Sequence, residues 1–265
     1  MVEGYPTRFV IFAAPRTGSN LLCSLLDSHP DILCHHGLFN PEGIHCAARW
    51  CDVPGRLGRV DLRDHDPLTF LKRVWEADDG RRAVGFKINR GENATAVQAV
   101  LRDPTILKIL LKRRNRVRTF VSEMTAQATG AWESYGPRDE KAPPVLRVDP
   151  TALRRHADMN AAYYGALERD LSSSGQEWLQ TDYEALIDWD EMARVLNFLG
   201  VSEHAVTADA PLTAASHKRA PSDLSATVAN LKDLYEALRG TPLFRDLSER
   251  DAPELHLHRP TLRRS

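Results

Sequence analysis

The sequence predicts an α/β protein, a parallel β-sheet flanked by helices on both faces and built as a single domain over residues 1–265. Three observations carry that expectation. Short apolar runs at residues 9–12, 83–88 and 105–111, and a short strand at 177–180, alternate with segments whose apolar residues recur at helical spacing, the pattern of βαβ units with right-handed crossovers. The first run passes through a loop containing proline and glycine directly into a helix. Finally, 265 residues with 42% hydrophobic content suit one large core more simply than two small ones.

Taken in order, residues 9–12 read as a buried strand, and Leu21, Leu22, Leu25 and Leu26 as the inner face of a helix that ends at Ser28-His29-Pro30, since the residue before proline is pushed out of the helical region. Residues 31–50 mix apolar, His and Gly residues, and 52–66 read as an irregular, charged excursion. A helix is expected at 67–76, opened by Pro67, then a strand at 83–88 and a helix at 92–102. The third strand, 105–111, runs into Lys112-Arg113-Arg114-Asn115, and a helix follows from 116 to about 128, stopped by Gly130. Beyond the break at Pro143-Pro144 come a long helix at 150–171, a short strand at 177–180, a helix at 190–199 stopped by Gly200, and a last helix at 225–238. The tail, 256–265, is expected to be loose.

The balance of charge narrows the function classes. There are 35 basic and 36 acidic residues, a formal net charge of −1, so no bulk field exists to hold nucleic acid and any anion site must be local. Mean hydropathy is −0.39, and no apolar run reaches the ~18 residues of a membrane span. FVIFAA is short and lacks a basic lead-in for a signal peptide. The expectation is a cytoplasmic protein without integral membrane contact. Cys23, Cys34, Cys46 and Cys51 form no C-x-x-C pair, as in reduced thiols. They fall near His35, His36 and His45, but without the tight pairing of structural zinc sites, so no metal is expected.

The chemistry gathers in the loop Ala14-Pro15-Arg16-Thr17-Gly18-Ser19-Asn20. Proline, glycine and small polar residues let a backbone curl and aim successive N–H groups at an anion, and the following helix adds the positive end of its dipole. The context is P-loop-like, yet the G-x-x-x-x-G-K-S/T pattern is broken. Ala13 stands where the first glycine belongs, Ser19 replaces the lysine, and the cation, Arg16, precedes Gly18 by two residues. A cation inside the loop lies over whatever is bonded to a 5′-phosphate, which points to a nucleotide whose terminal group is not a γ-phosphate.

Pro15-Arg16-Thr17-Gly18-Ser19, followed by Leu25-Leu26-Asp27-Ser28-His29-Pro30, resembles the 5′-phosphosulfate loop of sulfotransferases that use PAPS (3′-phosphoadenosine 5′-phosphosulfate), in the bacterial form P-R-x-G-S. The segment LLKRRNRVRTFVS supplies a second match. Arg114 and Ser122 stand eight residues apart, about 12 Å of helix, within reach of one phosphate, with Asn115 as N-cap. This resembles the 3′-phosphate signature of the same family, although Arg113 is an alternative to Arg114. Arg116 and Arg118 read as solvent-facing or supporting. In the resembling family a late basic residue closes over the nucleotide, which makes Lys218 and Arg219 further candidates.

The resemblance implies transfer of a sulfuryl group from PAPS to a hydroxyl of a small-molecule, glycan or lipid acceptor, with Arg16 neutralising the bridging oxygen. It leaves a homodimer open. Related bacterial members carry H-G-E-L-F-N-P with glutamate as base; here the run is His35-His36-Gly37-Leu38-Phe39-Asn40-Pro41, and Gly37 cannot act. His36 is the nearest titratable substitute, with His35 and Glu42 as alternatives. Trp50, Phe39, Trp132 and Tyr135 are candidates for an apolar acceptor wall or for ordinary core. A kinase-like phosphotransferase and a non-catalytic nucleotide-binding protein are the competing classes.

Overall fold

A computed structural model of the chain describes residues 5–50, 55–132, 142–207, 209–214 and 223–249. Cys51, Tyr135, Lys218, Arg219 and the 256–265 tail lie outside the described residues. Strands β1 (Thr7–Ala13), β2 (Ile32–Gly37), β3 (Ala83–Asn89), β4 (Ile106–Lys112) and β5 (Trp178–Asp182) form one parallel sheet in the order β2-β3-β1-β4-β5. The helices are α1 (Ser19–Asp27), α2 (Val60–His65), α3 (Pro67–Glu76), α4 (Ala94–Arg102), α5 (Arg116–Thr129), α6 (Pro150–Ser174), α7 (Trp189–Phe198), α8 (Leu231–Leu238) and α9 (Phe244–Ser248).

β1 is central because both of its faces are apolar. Phe9 and Ile11 pack with Leu22, Leu25 and Leu26 of α1 and Met192, Val195 and Leu196 of α7. Val10 and Phe12 point the other way, into Phe70 and Val74 of α3, Val100 of α4, and Tyr164, Leu167 and Leu171 of α6. A third cluster joins Val117 and Val121 of α5 to Leu153, Leu234, Leu238 and Leu247. Several helix starts are written into the sequence: Asp66, Asn93, Asn115 and Asp149 each accept a first-turn N–H, and Pro67 and Pro150 follow two of these caps.

Register brings the functional ends together. Ala13, at the end of β1, is paired with Asn89 on one side and Leu111 on the other, so the loops leaving β1, β3 and β4 emerge side by side at the carboxyl edge, where ligands of such sheets bind.

Three features depart from the sequence reading. Residues 32–37 form an edge strand that the reading passed over; every residue is buried, so no alternation shows, and the register shifts between His35 and Gly37. The 52–66 excursion contains α2. The helix expected at 225–238, α8, begins at Leu231, because the backbone of residues 227–229 bonds Leu146 instead: Leu146 N donates to Thr227 O at 2.7 Å and Ala229 N to Leu146 O at 2.8 Å; α9 then follows it.

Candidate active site

The loop between β1 and α1 is held in a conformation few residues tolerate. Arg16 has φ of 64° and Gly18 of 89°, both left-handed. Thr17 Oγ1 donates to Ala14 O at 2.7 Å, closing the turn. Ala14 N donates to the hydroxyl of Tyr164 at 2.7 Å, which donates in turn to Leu111 O at 2.6 Å. Burial pushes that phenol up to about 12, so it stays a neutral donor that pins the loop to β4. Gly18 is the N-cap of α1, and no side chain caps the helix. A Cβ at Gly18 would stand 2.3 Å from Cδ2 of Tyr183, so glycine is required by space as well as by dihedral.

Arg16 crosses from this loop to α5. Its Nε donates to Ser122 Oγ at 2.9 Å, and its Nη1 to Trp132 O. Two residues singled out separately in the sequence therefore meet. Arg113 donates to Arg16 O at 3.3 Å, and its guanidinium lies 4.6 Å from the ring centre of Tyr183. Tyr183 is thus packed between Gly18 and a cation. Arg114 turns elsewhere: its Nε is 3.6 Å from Glu184 and 3.9 Å from Asp182, on a side chain 64% exposed.

The start of α5 is closed by the protein itself. Asn115 Oδ1 accepts Arg118 N at 2.9 Å, as a cap should. Glu184 accepts the N–H groups of Arg114 and Asn115 at 3.1 and 3.2 Å, and Asp246 accepts Arg116 N at 3.0 Å. Arg116 also pairs through its side chain with Asp246, and Arg118 donates to Glu249 O. Both arginines are supports, as expected.

On the β2 side, His36 is the extra residue of the bulge, and its N–H donates to His45 O at 3.1 Å. Bulges of this kind re-aim side chains. Burial, and then the charge of Lys87, lower His36 to about 3; burial does the same to His35. Both imidazoles are neutral at neutral pH and feebly basic. Lys87 is buried on the α1 side of β3, its Cε 3.7 Å from the position a Cβ on Gly37 would take. Arg63, 2% exposed, gathers the carbonyls of Leu38, Asn40 and Gly43 at 3.3, 2.6 and 2.8 Å. Phe39 and Trp50 are core residues beneath this segment.

Sequence reasoning missed Tyr164, Lys87 and Arg63. One signal was available for Lys87, a charge inside the apolar run AVGFKI, because a buried lysine is rare without purpose. Among the described residues no helix is long and apolar enough to cross a membrane.

A central parallel strand that runs through a left-handed loop into a helix without a side-chain cap defines the class as a P-loop-like α/β fold. No family model matches the sequence. The chain is similar to nodulation protein H of Rhizobium tropici, 27% identical over 255 residues, which covers 94% of this chain and 97% of the relative. It is also similar to nodulation protein H of Rhizobium meliloti (strain 1021), 31% identical over 208 residues, 74% of this chain and 78% of the relative. Among solved structures, a sulfotransferase from Alicyclobacillus acidocaldarius superposes with a TM-score of 0.47 at 17% identity, over 91% of this chain and 94% of that one. The chain belongs to the nodulation protein H family of sulfotransferases.

Proposed function

We propose that this sulfotransferase takes PAPS as its donor and delivers the sulfuryl group, by in-line displacement, to a hydroxyl of a small-molecule, glycan or lipid acceptor. The observation that carries the reading is the Arg16–Ser122 hydrogen bond: a loop suited to a 5′-phosphosulfate and a helix suited to a 3′-phosphate converge. The residues fit such a donor. The left-handed Arg16 and Gly18 curl the loop backbone, α1 opens without a side-chain cap, and Arg16 and Arg113 bring two cations to the loop.

When bound, PAPS supplies an activated sulfuryl group and a bisphosphate leaving group. The chain's share of the chemistry is alignment and charge. Arg16 and the N-terminus of α1 offset the negative charge that gathers at the breaking bond, which in such loose displacements is the main catalytic contribution. Pro15, Thr17, Ser19 and Asn20 complete the cradle. Ser122 holds the 3′-phosphate with Arg113, the alternative to Arg114, whose side chain is turned to Glu184 and Asp182, and Lys218 and Arg219 serve as closing cations.

The test is calorimetric titration with adenosine 3′,5′-bisphosphate in magnesium-free buffer, paired with mass spectrometry of hydroxylic acceptors incubated with PAPS. We expect the wild type to bind the bisphosphate and to add one sulfo group to an acceptor. Arg16→Ala should lower turnover about 10²–10³-fold, the usual cost of losing one preorganised charge-stabilising donor. A wild type that ignores the bisphosphate overturns the reading.

A further inference from the structure

Proton removal from the acceptor hydroxyl needs a basic group, and the carboxyl edge of the sheet offers few. His35 and His36 are held near about 3 by burial. Glu42 is exposed on a turn whose only tie to it is Glu42 N donating to Asn40 Oδ1 at 2.8 Å. Glu92 stands differently. It lies, half-buried, in the turn between β3 and α4, where its Oε2 accepts from Asn89 N at 3.0 Å and its Oε1 from Asn89 Nδ2 at 2.9 Å. These two bonds fold the carboxylate back over the end of β3.

That strand end abuts the nucleotide loop. Asn89 is the register partner of Ala13, and Arg90 N donates to Ala13 O at 2.8 Å. Asn89 and Lys87, two residues apart on one strand, share a face, and Lys87 reaches Gly37, where a Cβ would lie 3.7 Å from its Cε. Carboxylate, ammonium and a residue without a side chain therefore occupy one corner beside the loop.

We propose that Glu92 is the general base of the transfer, a carboxylate delivered from the β3–α4 turn to the corner where Lys87 and Asn40 close on Gly37. In the step, the acceptor oxygen bonds to sulfur as the bond from sulfur to the phosphate oxygen breaks. The acceptor's proton passes to Glu92, and the electron pair of the broken bond stays on the phosphate, beside Arg16. Burial raises the Glu92 carboxyl above its ordinary value, against the pull of its hydrogen bonds from Asn89 and of Lys87 and Arg63, which suits a base better than an exposed carboxylate. The charged and titratable groups that act on it or feel it are Lys87 on β3, Arg63 on α2 and Tyr163 on α6. The inference rests on the donor reading above.

The experiment compares wild type, Glu92→Gln, Glu92→Asp and His36→Gln. Each is given PAPS with a glucoside, a phenol and a fatty alcohol, water serving as the fallback acceptor, and the bisphosphate released is quantified across pH. Binding of adenosine 3′,5′-bisphosphate is measured alongside. Glu92→Gln should keep bisphosphate affinity within about threefold, lose turnover about 10²–10⁴-fold, and lose the acid limb of kcat. Glu92→Asp should restore part of the rate, and His36→Gln should leave the acid limb of kcat in place; loss of that limb in His36→Gln overturns the proposal. Normal turnover with an intact acid limb in Glu92→Gln overturns the proposal. So does parallel loss of bisphosphate affinity and rate in both Glu92 variants, which would make Glu92 a brace of the turn only. A wild type that releases no bisphosphate overturns the donor reading itself, and the base with it.

Discussion

The hydroxyl of Tyr164 spans the ends of two strands, accepting from Ala14 N and donating to Leu111 O. Removing it leaves a buried amide and a buried carbonyl with one partner fewer. Tyr164→Phe is therefore expected to cost about 1–3 kcal/mol of stability, the usual penalty for an unsatisfied buried group, and to loosen the loop that meets the donor. Urea unfolding together with bisphosphate titration reads both effects; an unchanged midpoint and affinity would show that the loop stands without this pin. The sequence displays Tyr164 only as one apolar position on a long helix. Which helix positions reach across a sheet depends on packing between layers, and no local pattern encodes it. Gly18, by contrast, was legible, because a left-handed turn calls for glycine in the immediate sequence, whereas Arg16 and Ser122 were singled out by their resemblance to sulfotransferase motifs.

Among the elements, α5 shows where local signals stop. Asn115 could be recognised as its cap from position alone, and it does accept Arg118 N. The carboxylates that complete the helix start come from Glu184 and from Asp246 on α9, 130 residues further along the chain from Arg116. Asp246 is 4% exposed and takes three hydrogen bonds from Arg116. Asp246→Ala would strand the α5 start and unmoor α9; because the Arg116 side chain is 39% exposed and can turn to water, the expected cost is about 1–3 kcal/mol, chiefly that of leaving the Arg116 N–H without its acceptor. Chemical denaturation measures the loss, and a change below about 1 kcal/mol would mean that water replaces the carboxylate freely. The edge strand β2 was hidden for a related reason. Its two histidines read as polar loop residues, although segment 45–47 covers them by bonding His36 N, Gly37 O and the His35 ring.

For the whole molecule, the buried histidines set the acid tolerance. Unfolded, His35 and His36 take up protons near their ordinary 6.5; folded, they refuse them until about 3. The unfolded state therefore binds more protons in that window, and stability falls as pH drops. Between pH 7 and 5 the two together should remove about 4 kcal/mol. Asp27, Glu92 and Asp182, whose carboxyls burial raises, act in the opposite sense only nearer the carboxylate range. Urea midpoints at pH 7, 6 and 5 check the slope, and replacing both histidines with Asn or Gln should flatten it. The layered sheet that buries them was largely readable in advance, since β1, β3 and β4 are mostly apolar runs and β1 declares itself by being apolar on both faces.

The guanidinium of Arg63 gathers three carbonyls of the segment that runs from Leu38 to Gly43. That segment is consequently not a detachable loop. Anyone wishing to exchange it for the corresponding stretch of a relative would have to transplant α2 along with it, because the peg from which it hangs is inherited from a separate helix.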